Sequence, residues 1–362
     1  MISFIHSGDI HLGTTFKTAS FASNKGEERR RELWDSFQRL INYGIKEKND
    51  LIILAGDLFE EEMFTIRDIN KLKDILKEAK DQKIVITPGN HDKLNSKSLY
   101  NRVEWPQNTS ILKDKGISRI EFNDINLTIH GYGWTNLNEN LKDLLFSIEK
   151  NEGHHNILVL HADLSDNSDY LPLDINQLKS LGMDYIALGH IHKPQFLDHN
   201  IAYCGSLEPL DFGERGERGF IQGELGGVNR FFFKSFSKRK FYIKELEISK
   251  EQTLNEVVYE IKKLTQGQYN KNLYRIILRG LMPFYIELED IESALKEDFY
   301  HVELINKSKR DYDIEKIKRD NKNNIISKYI ESFNEEELED EILRDAFYMG
   351  LYALLEGGES LW

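Results

Sequence analysis

Five short apolar runs punctuate residues 1–190: Ile2–Ile5, Leu51–Leu54, Ile84–Ile86, Ile157–Leu160 and Tyr185–Leu188. Each is rich in Ile, Val or Leu, as expected of a strand buried on both faces. Between the early runs the periodicity becomes helical. Glu32–Lys46 gathers Leu33, Phe37, Leu40 and Ile41 on one face, and Ile66–Lys80 gathers Ile69, Leu72, Ile75, Leu76 and Ala79. Strand–helix alternation of this kind predicts a layered α/β core. Ile125–Ile129 adds a strand. Beyond Pro194, Ile201–Cys204, Gly219–Leu225 and Lys240–Leu246 add more, with glycine-rich connections. The first domain is placed at residues 1–245.

Residues 246–305 predict a small α+β domain: helix Leu254–Leu264, strand Leu273–Arg279, helix Leu288–Phe299 and strand Tyr300–Ile305. In the last part, 306–362, a charged linker or exposed helix over 306–332 precedes an amphipathic C-terminal helix, Glu335–Glu356. Asn334 and Glu337 have capping-box spacing, and Leu338, Ile342, Ala346, Met349 and Ala353 recur at helical intervals.

Composition narrows the class. With 362 residues, 40% of them hydrophobic, the chain can bury a large core. The single cysteine, Cys204, excludes an intrachain disulfide framework and a cysteine-based zinc site. A reducing, cytoplasmic location is expected. The first residues lack the pattern of a secretory signal. No run approaches the roughly 18 apolar residues of a membrane span, so no membrane association is expected. The net charge is −13, but it is uneven: residues 331–362 hold ten acids and one base, and Arg230–Lys250 holds seven bases and two acids. Local field governs polyanion binding, so the overall balance leaves the substrate open.

The chemistry lies where the strands end. Ile2–Ile5 leads to Asp9 and His11, and Leu51–Leu54 to Gly56-Asp57. Ile84–Ile86 leads to Gly89-Asn90-His91-Asp92, Ile157–Leu160 to His161, and Tyr185–Leu188 to Gly189-His190-Ile191-His192. One such pair alone is more often a turn than a site. Five strand ends brought together by one sheet would converge on a single cluster, because ligands bind beyond the carboxyl ends of strands in open α/β sheets. Mixed Asp, Asn and His donors suit manganese, iron or zinc. Two ions about 3.5–4 Å apart can clamp a phosphoryl group, and Asp57 is the natural bridging carboxylate.

This series resembles the calcineurin-like metallophosphoesterase superfamily: Asp-x-His, Gly-Asp, Gly-Asn-His-Asp, a lone His, then Gly-His-x-His. The likeness covers roughly residues 1–225. Asp9-Ile10-His11-Leu12-Gly13, Gly189 through Gln195, and Tyr203-Cys204-Gly205-Ser206 are similar to the SbcD-like branch of DNA double-strand break repair nucleases. The resemblance implies a metallophosphoesterase β-sandwich core flanked by helices, a small α+β capping domain and a C-terminal helical tail. It implies that Asp9, His11, Asp57 and His192 hold one metal and that Asp57, Asn90, His161 and His190 hold the other. Manganese is the first choice, with iron, zinc or magnesium as alternatives. His91 would contact the phosphate and protonate the leaving oxygen, with Asp92 as an orienting group. His130 and His6 are expected to be structural.

The resemblance also implies partners: DNA, a second copy of the chain through Ile66–Lys80 and the segment to Arg102, and an SbcC-type ABC ATPase with a coiled coil. The C-terminal helix would meet the ATPase or pack on its own protein. Lys17, Arg29, Arg30, Arg31, Lys93, Lys97, Arg102, Arg215 and Arg218 are candidate phosphate contacts. One departure stands out. Glu60 occupies a position, three after Asp57, where many nucleases of this branch have histidine, which opens the exonuclease–endonuclease balance to question. Three functions follow: a metal-dependent DNA nuclease, a metallophosphoesterase of nucleotides or small diesters, or a non-catalytic scaffold for the ATPase.

Overall fold

The computed structural model describes residues 1–16, 23–135, 141–164, 173–283, 285–334 and 337–356. Lys17 lies outside them. By packing, the chain divides into two compact units, Met1–Phe241 and Tyr242–Trp362.

The first unit opens with strand β1 (Ile2–Ser7), helix α1 (Ser23–Lys46), β2 (Leu51–Ala55), α2 (Ile66–Glu78), β3 (Lys83–Thr87) and β4 (Thr109–Ile111). There follow β5 (Ser118–Phe122), β6 (Leu127–Tyr132), α3 (Leu141–Phe146), β7 (His155–His161), α4 (Ile175–Ser180) and β8 (Tyr185–Gly189). Then come β9 (Gln195–Asp198), β10 (Ile201–Tyr203), β11 (Gly219–Leu225) and β12 (Arg230–Ser235). They form two six-stranded sheets, ordered β12-β11-β1-β2-β3-β4 and β5-β6-β7-β8-β10-β9. Strands β1, β2, β3 and β4 run parallel, as do β6, β7, β8 and β10.

The apolar runs are continuous because both strand faces are covered. Side chains alternate across a strand. In β2, Leu51, Ile53 and Ala55 point into a core shared with Ile157, Val159 and Ala187 of the facing sheet. Ile52 and Leu54 point the other way, onto Leu33, Phe37 and Leu40 of α1 and Ile69, Leu72 and Leu76 of α2. On the outer face of the second sheet, Leu158, Leu160, Ile186 and Leu188 meet Leu141, Leu145 and Leu178. The layers therefore run helix, sheet, sheet, helix, the sandwich that the resemblance implied. The expectation of one sheet carrying all five runs is corrected: three lie in the first sheet and two in the second. A buried parallel strand reads the same in either. Helix α2 begins where expected because Thr65 and Asp68 close a capping box.

The second unit holds all but the first residue of β13 (Phe241–Ile248), then α5 (Leu254–Leu264), β14 (Leu273–Pro283), α6 (Leu288–Leu295), β15 (His301–Asn306) and β16 (Lys309–Asp311). Val257 and Ile261 of α5 and Ile291 and Leu295 of α6 pack on Ile276 and Leu278 of β14. Residues 306–332, read as linker or exposed helix, contain β16, α7 (Ile314–Asp320) and α8 (Ile325–Glu331). Asn334 and Glu337 do exchange the two bonds of a capping box, but they cap a short 3-10 turn, Glu337–Glu339. Helix α9 (Glu341–Glu356) starts anew, with Asp340 accepting from the amides of Ile342 and Leu343. Phe347 and Leu351 of α9 bury against Ile330. Among the described residues, no helix is long and apolar enough to cross a membrane.

Candidate metal centre

The carboxyl ends of β1, β2, β3, β7 and β8 open on one edge of the sandwich. The loops after β1 and β2 are stitched together: Asp9 donates its amide to the Gly56 carbonyl at 3.0 Å, and Ile10 and His11 donate to that of Asp57 at 2.9 and 3.0 Å. Asp9, His11, Asp57 and His190 all adopt left-handed backbone, with φ of 47°, 50°, 49° and 98°. That conformation costs a non-glycine residue roughly 1–2 kcal/mol and is common at functional sites. The turns aim the side chains back across the strand ends.

All eight residues singled out in the sequence meet there. Asp57 Oδ2 lies 3.2 Å from His161 Nε2 and 3.8 Å from His11 Nε2, and its Oδ1 accepts from the His91 amide at 2.9 Å. Asn90 Oδ1 is 2.9 Å from His161 Nε2. Asp9 accepts from the His190 amide and sits 3.8 Å from His192 Nε2. The His190 and His161 rings stand edge to face, 5.2 Å apart. Asp9, His11, Asp57 and His161 are buried, whereas the His91 side chain is 44% exposed on the open side.

The hydrogen bonds fix which ring nitrogens face inward. His11 Nδ1 donates to Glu60 at 2.7 Å, His192 Nδ1 to Glu214 at 2.7 Å, and His161 Nδ1 to the Ala55 carbonyl at 3.0 Å. A neutral imidazole with a donating Nδ1 has a bare Nε2. With all three rings neutral, the bare nitrogens of His11 and His192 would face each other at 3.1 Å, and that of His161 would face two oxygens. Lone pairs opposed in this way repel unless a proton or a cation lies among them. The donor atoms of Asp9, His11 and His192, and those of Asp9, Asp57 and His161, are close enough to share an ion. Imidazoles backed by carboxylate or carbonyl acceptors are what divalent metals select, so the residues fit a metal centre.

Electrostatics agree. Burial disfavours the charged form of Asp57, but His161, then His11 and His91, hold its carboxyl well below the usual range. Burial likewise opposes charge on His161 and His192, and Asp57 and Glu214 respectively overcome it, raising each to about 9. Burial and the neighbouring His161 lower His190. At neutral pH the metal-free cluster therefore stores protons on His161 and His192, and a divalent ion must displace them. Manganese affinity should weaken as pH falls from about 9, and uptake should release protons. Titration calorimetry in two buffers of different ionisation enthalpy measures the release; no release would place the ion elsewhere.

Two residues were missed and three were misread. Glu60 and Glu214 hold His11 and His192, yet each is a lone acid in a loop with no periodic signal; only the unusual residue type at Glu60 hinted at a role. Asp92 does not orient the His91 ring. It is buried, accepting from the Leu58 and Gly89 amides and the Tyr100 hydroxyl, while His91 Nδ1 donates to Glu60 at 2.8 Å. Arg29 is buried against Glu32 and the Pro209 carbonyl, and Arg218 donates to the carbonyls of Arg215 and Glu217, so both are structural rather than phosphate contacts. Arg30, Arg31, Lys93, Lys97, Arg102 and Arg215 are exposed. His6 and His130 are buried and bonded to Tyr185 and Asn156.

The chain is 28% identical over 232 residues to the uncharacterized metallophosphoesterase YhaO of Bacillus subtilis, covering 60% of this chain and 56% of that protein's length. It is 26% identical over 314 residues to the DNA double-strand break repair protein Mre11 of Methanocaldococcus jannaschii, covering 79% of this chain and 80% of that one. It is 23% identical over 393 aligned positions to the SbcD subunit of the nuclease SbcCD of Staphylococcus epidermidis, covering 97% and 93%. The calcineurin-like phosphoesterase family profile matches residues 2–194, from the first strand through the last paired histidines, and the chain belongs to that family.

Proposed function

We propose that the chain is a metal-dependent DNA nuclease, the nuclease subunit of an SbcC-type ATPase complex. The observation that carries this reading is the reach of the likeness. The match to the SbcD subunit of the staphylococcal nuclease spans 97% of this chain, the second unit included. A hydrolase of small diesters has no evident use for that second unit. The exposed Ile342, Leu343 and Met349 of α9 offer the ATPase an apolar surface. Homodimerisation through α2 and a cytoplasmic location belong to the same proposal.

Asp9, His11, Asp57 and His192 would hold one divalent ion, and Asp57, Asn90, His161 and His190 the other; manganese is the first choice. Bound, the pair would supply Lewis acidity, polarising the phosphoryl group and easing deprotonation of water. The chain's own residues do the rest. The backbone turns and the carboxylates behind the imidazoles set the ligands before substrate arrives, so little reorganisation remains at the moment of reaction. His91 keeps its Nδ1 on Glu60, and its side chain is 44% exposed. Glu60 raises its pKa. A proton on Nε2 can therefore pass to the leaving oxygen as the bond to phosphorus breaks.

The test is cleavage of labelled linear DNA with manganese, beside bis-p-nitrophenyl phosphate. Degradation of both, abolished by chelation, is expected. Hydrolysis of the small diester alone would favour the small-diester reading, and activity toward neither would favour the scaffold.

A further inference from the structure

We infer that Glu60 and Glu214 are the positioning carboxylates of the centre, and that Glu60 alone serves two histidines, the metal-facing His11 and the proton-donating His91. The inference rests on the roles proposed above for those histidines.

The geometry separates the two acids. Glu60 gives one oxygen to each ring: Oε1 accepts from His11 Nδ1 at 2.7 Å and Oε2 from His91 Nδ1 at 2.8 Å. The rings stand edge to face, 4.9 Å apart. The backbone beneath is held from both sides, since Glu60 donates its amide to the Leu12 carbonyl at 3.0 Å and Glu61 donates to that of His91 at 3.2 Å. One carboxylate on a fixed strut thus ties the loop after β1 to the loop after β3. Glu214 has one imidazole. Its Oε1 accepts from His192 Nδ1 and its Oε2 from the Ser206 hydroxyl at 2.9 Å. Arg218 Nε stands 3.5 Å from the same Oε2, so among the described residues His192 is the only imidazole through which Glu214 can act on the centre.

A carboxylate only accepts, so it compels both of its rings to present Nδ1–H to it and Nε2 to the site. An amide offers one acceptor and one donor. At position 60 it would satisfy one ring and reverse the tautomer of the other. At position 214 the hydroxyl of Ser206 can turn to suit the amide nitrogen and His192 keeps its acceptor, while Arg218 loses its 3.5 Å contact but keeps its bonds to the Arg215 and Glu217 carbonyls. The two glutamine variants should therefore fail differently.

The experiment compares wild type, Glu60→Gln and Glu214→Gln in two readouts. The first is manganese affinity by calorimetry or paramagnetic resonance, expected to fall about 10–100-fold in both variants. The second is turnover at saturating manganese on bis-p-nitrophenyl phosphate, whose leaving group needs little protonation, and on a dinucleotide, whose alkoxide leaving group needs much. Glu214→Gln should recover on both substrates. Glu60→Gln should recover on the first and stay at least about tenfold impaired on the second, with no added impairment once His91 is alanine. If Glu60→Gln fails to fold, Glu60→Asp enters the same assays; it keeps the charge but is one methylene short of spanning both rings, so the dinucleotide-specific loss is again expected. Equal behaviour of the position-60 and position-214 variants on both substrates overturns the double role. Unchanged manganese affinity in both overturns the positioning role. A wild-type protein that takes up no manganese overturns the reading of the centre itself, and this inference with it.

Discussion

Alanine at His91 should lower turnover of a dinucleotide by about 10²–10⁴ while leaving manganese affinity close to that of wild type. The geometry separates these effects. The bond that ties this loop to Asp57 comes from the backbone amide of His91, and alanine keeps it. The lost ring is half exposed and held by a single bond to Glu60. His11, Asp57 and His91 could nevertheless share an ion on distance alone, so the alternative that His91 is a ligand is concrete. Steady-state turnover measured across a manganese titration decides it. A loss that added manganese reverses would make His91 a ligand; a loss at saturation, larger for the dinucleotide than for bis-p-nitrophenyl phosphate, is the mark of a proton donor.

The second large effect is expected from a single methyl group. Glycine precedes Asp57, Asn90 and His190, and in each place a Cβ would overlap part of the centre or the backbone behind it. At Gly56 it would meet the His161 imidazole, and at Gly89 the Asp57 carboxylate. At Gly189 it would run into the carbonyl oxygen of Ala55, the same oxygen that accepts from His161 Nδ1. A backbone oxygen in a central strand cannot step aside. Gly189→Ala is therefore expected to cost about 3 kcal/mol or more, the upper range for overpacking, and to weaken manganese uptake. Gly227→Ala is the control. Its Cβ would meet nothing within 4 Å, and a change within about 0.5 kcal/mol is expected. Urea unfolding of the metal-free proteins measures both. A Gly189→Ala protein as stable as wild type would mean that the two sheets have room to part behind the centre.

These glycines also explain why so much of the site was legible. Close approach of neighbouring backbone and side chains forces glycine before Asp57, Asn90 and His190, so these residues come as Gly-Asp, Gly-Asn-His and Gly-His-x-His at the ends of apolar runs. Such local patterns survive in one dimension. Membership of a particular sheet does not, since Val159 of β7 and Ile53 of β2 are equally buried and differ only in their neighbours. The supporting acids were hidden for the same reason. Glu214 reaches His192 across 22 residues, and Glu60 reaches His91 across 31. Asp92 was misjudged because sequence adjacency to His91 is not spatial adjacency: its carboxylate turns inward to Tyr100. Arg29 looked like part of an exposed basic run with Arg30 and Arg31. The first of the three falls on the inward face of α1, where Glu32 and Glu208 neutralise it.

The left-handed turns at Asp9, His11, Asp57 and His190 have a bearing on the history of such a chain. Glycine would relieve the backbone at all four, and it cannot bind a metal. As long as hydrolysis is needed, the chain must keep the strained residue. A lineage released from that need would meet no penalty at these corners and would gain stability by drifting toward glycine. Decay would begin there, before the core changed. A non-catalytic descendant would be recognised less by a broken fold than by an improved one, with relaxed turns where its carboxylates and imidazoles used to be.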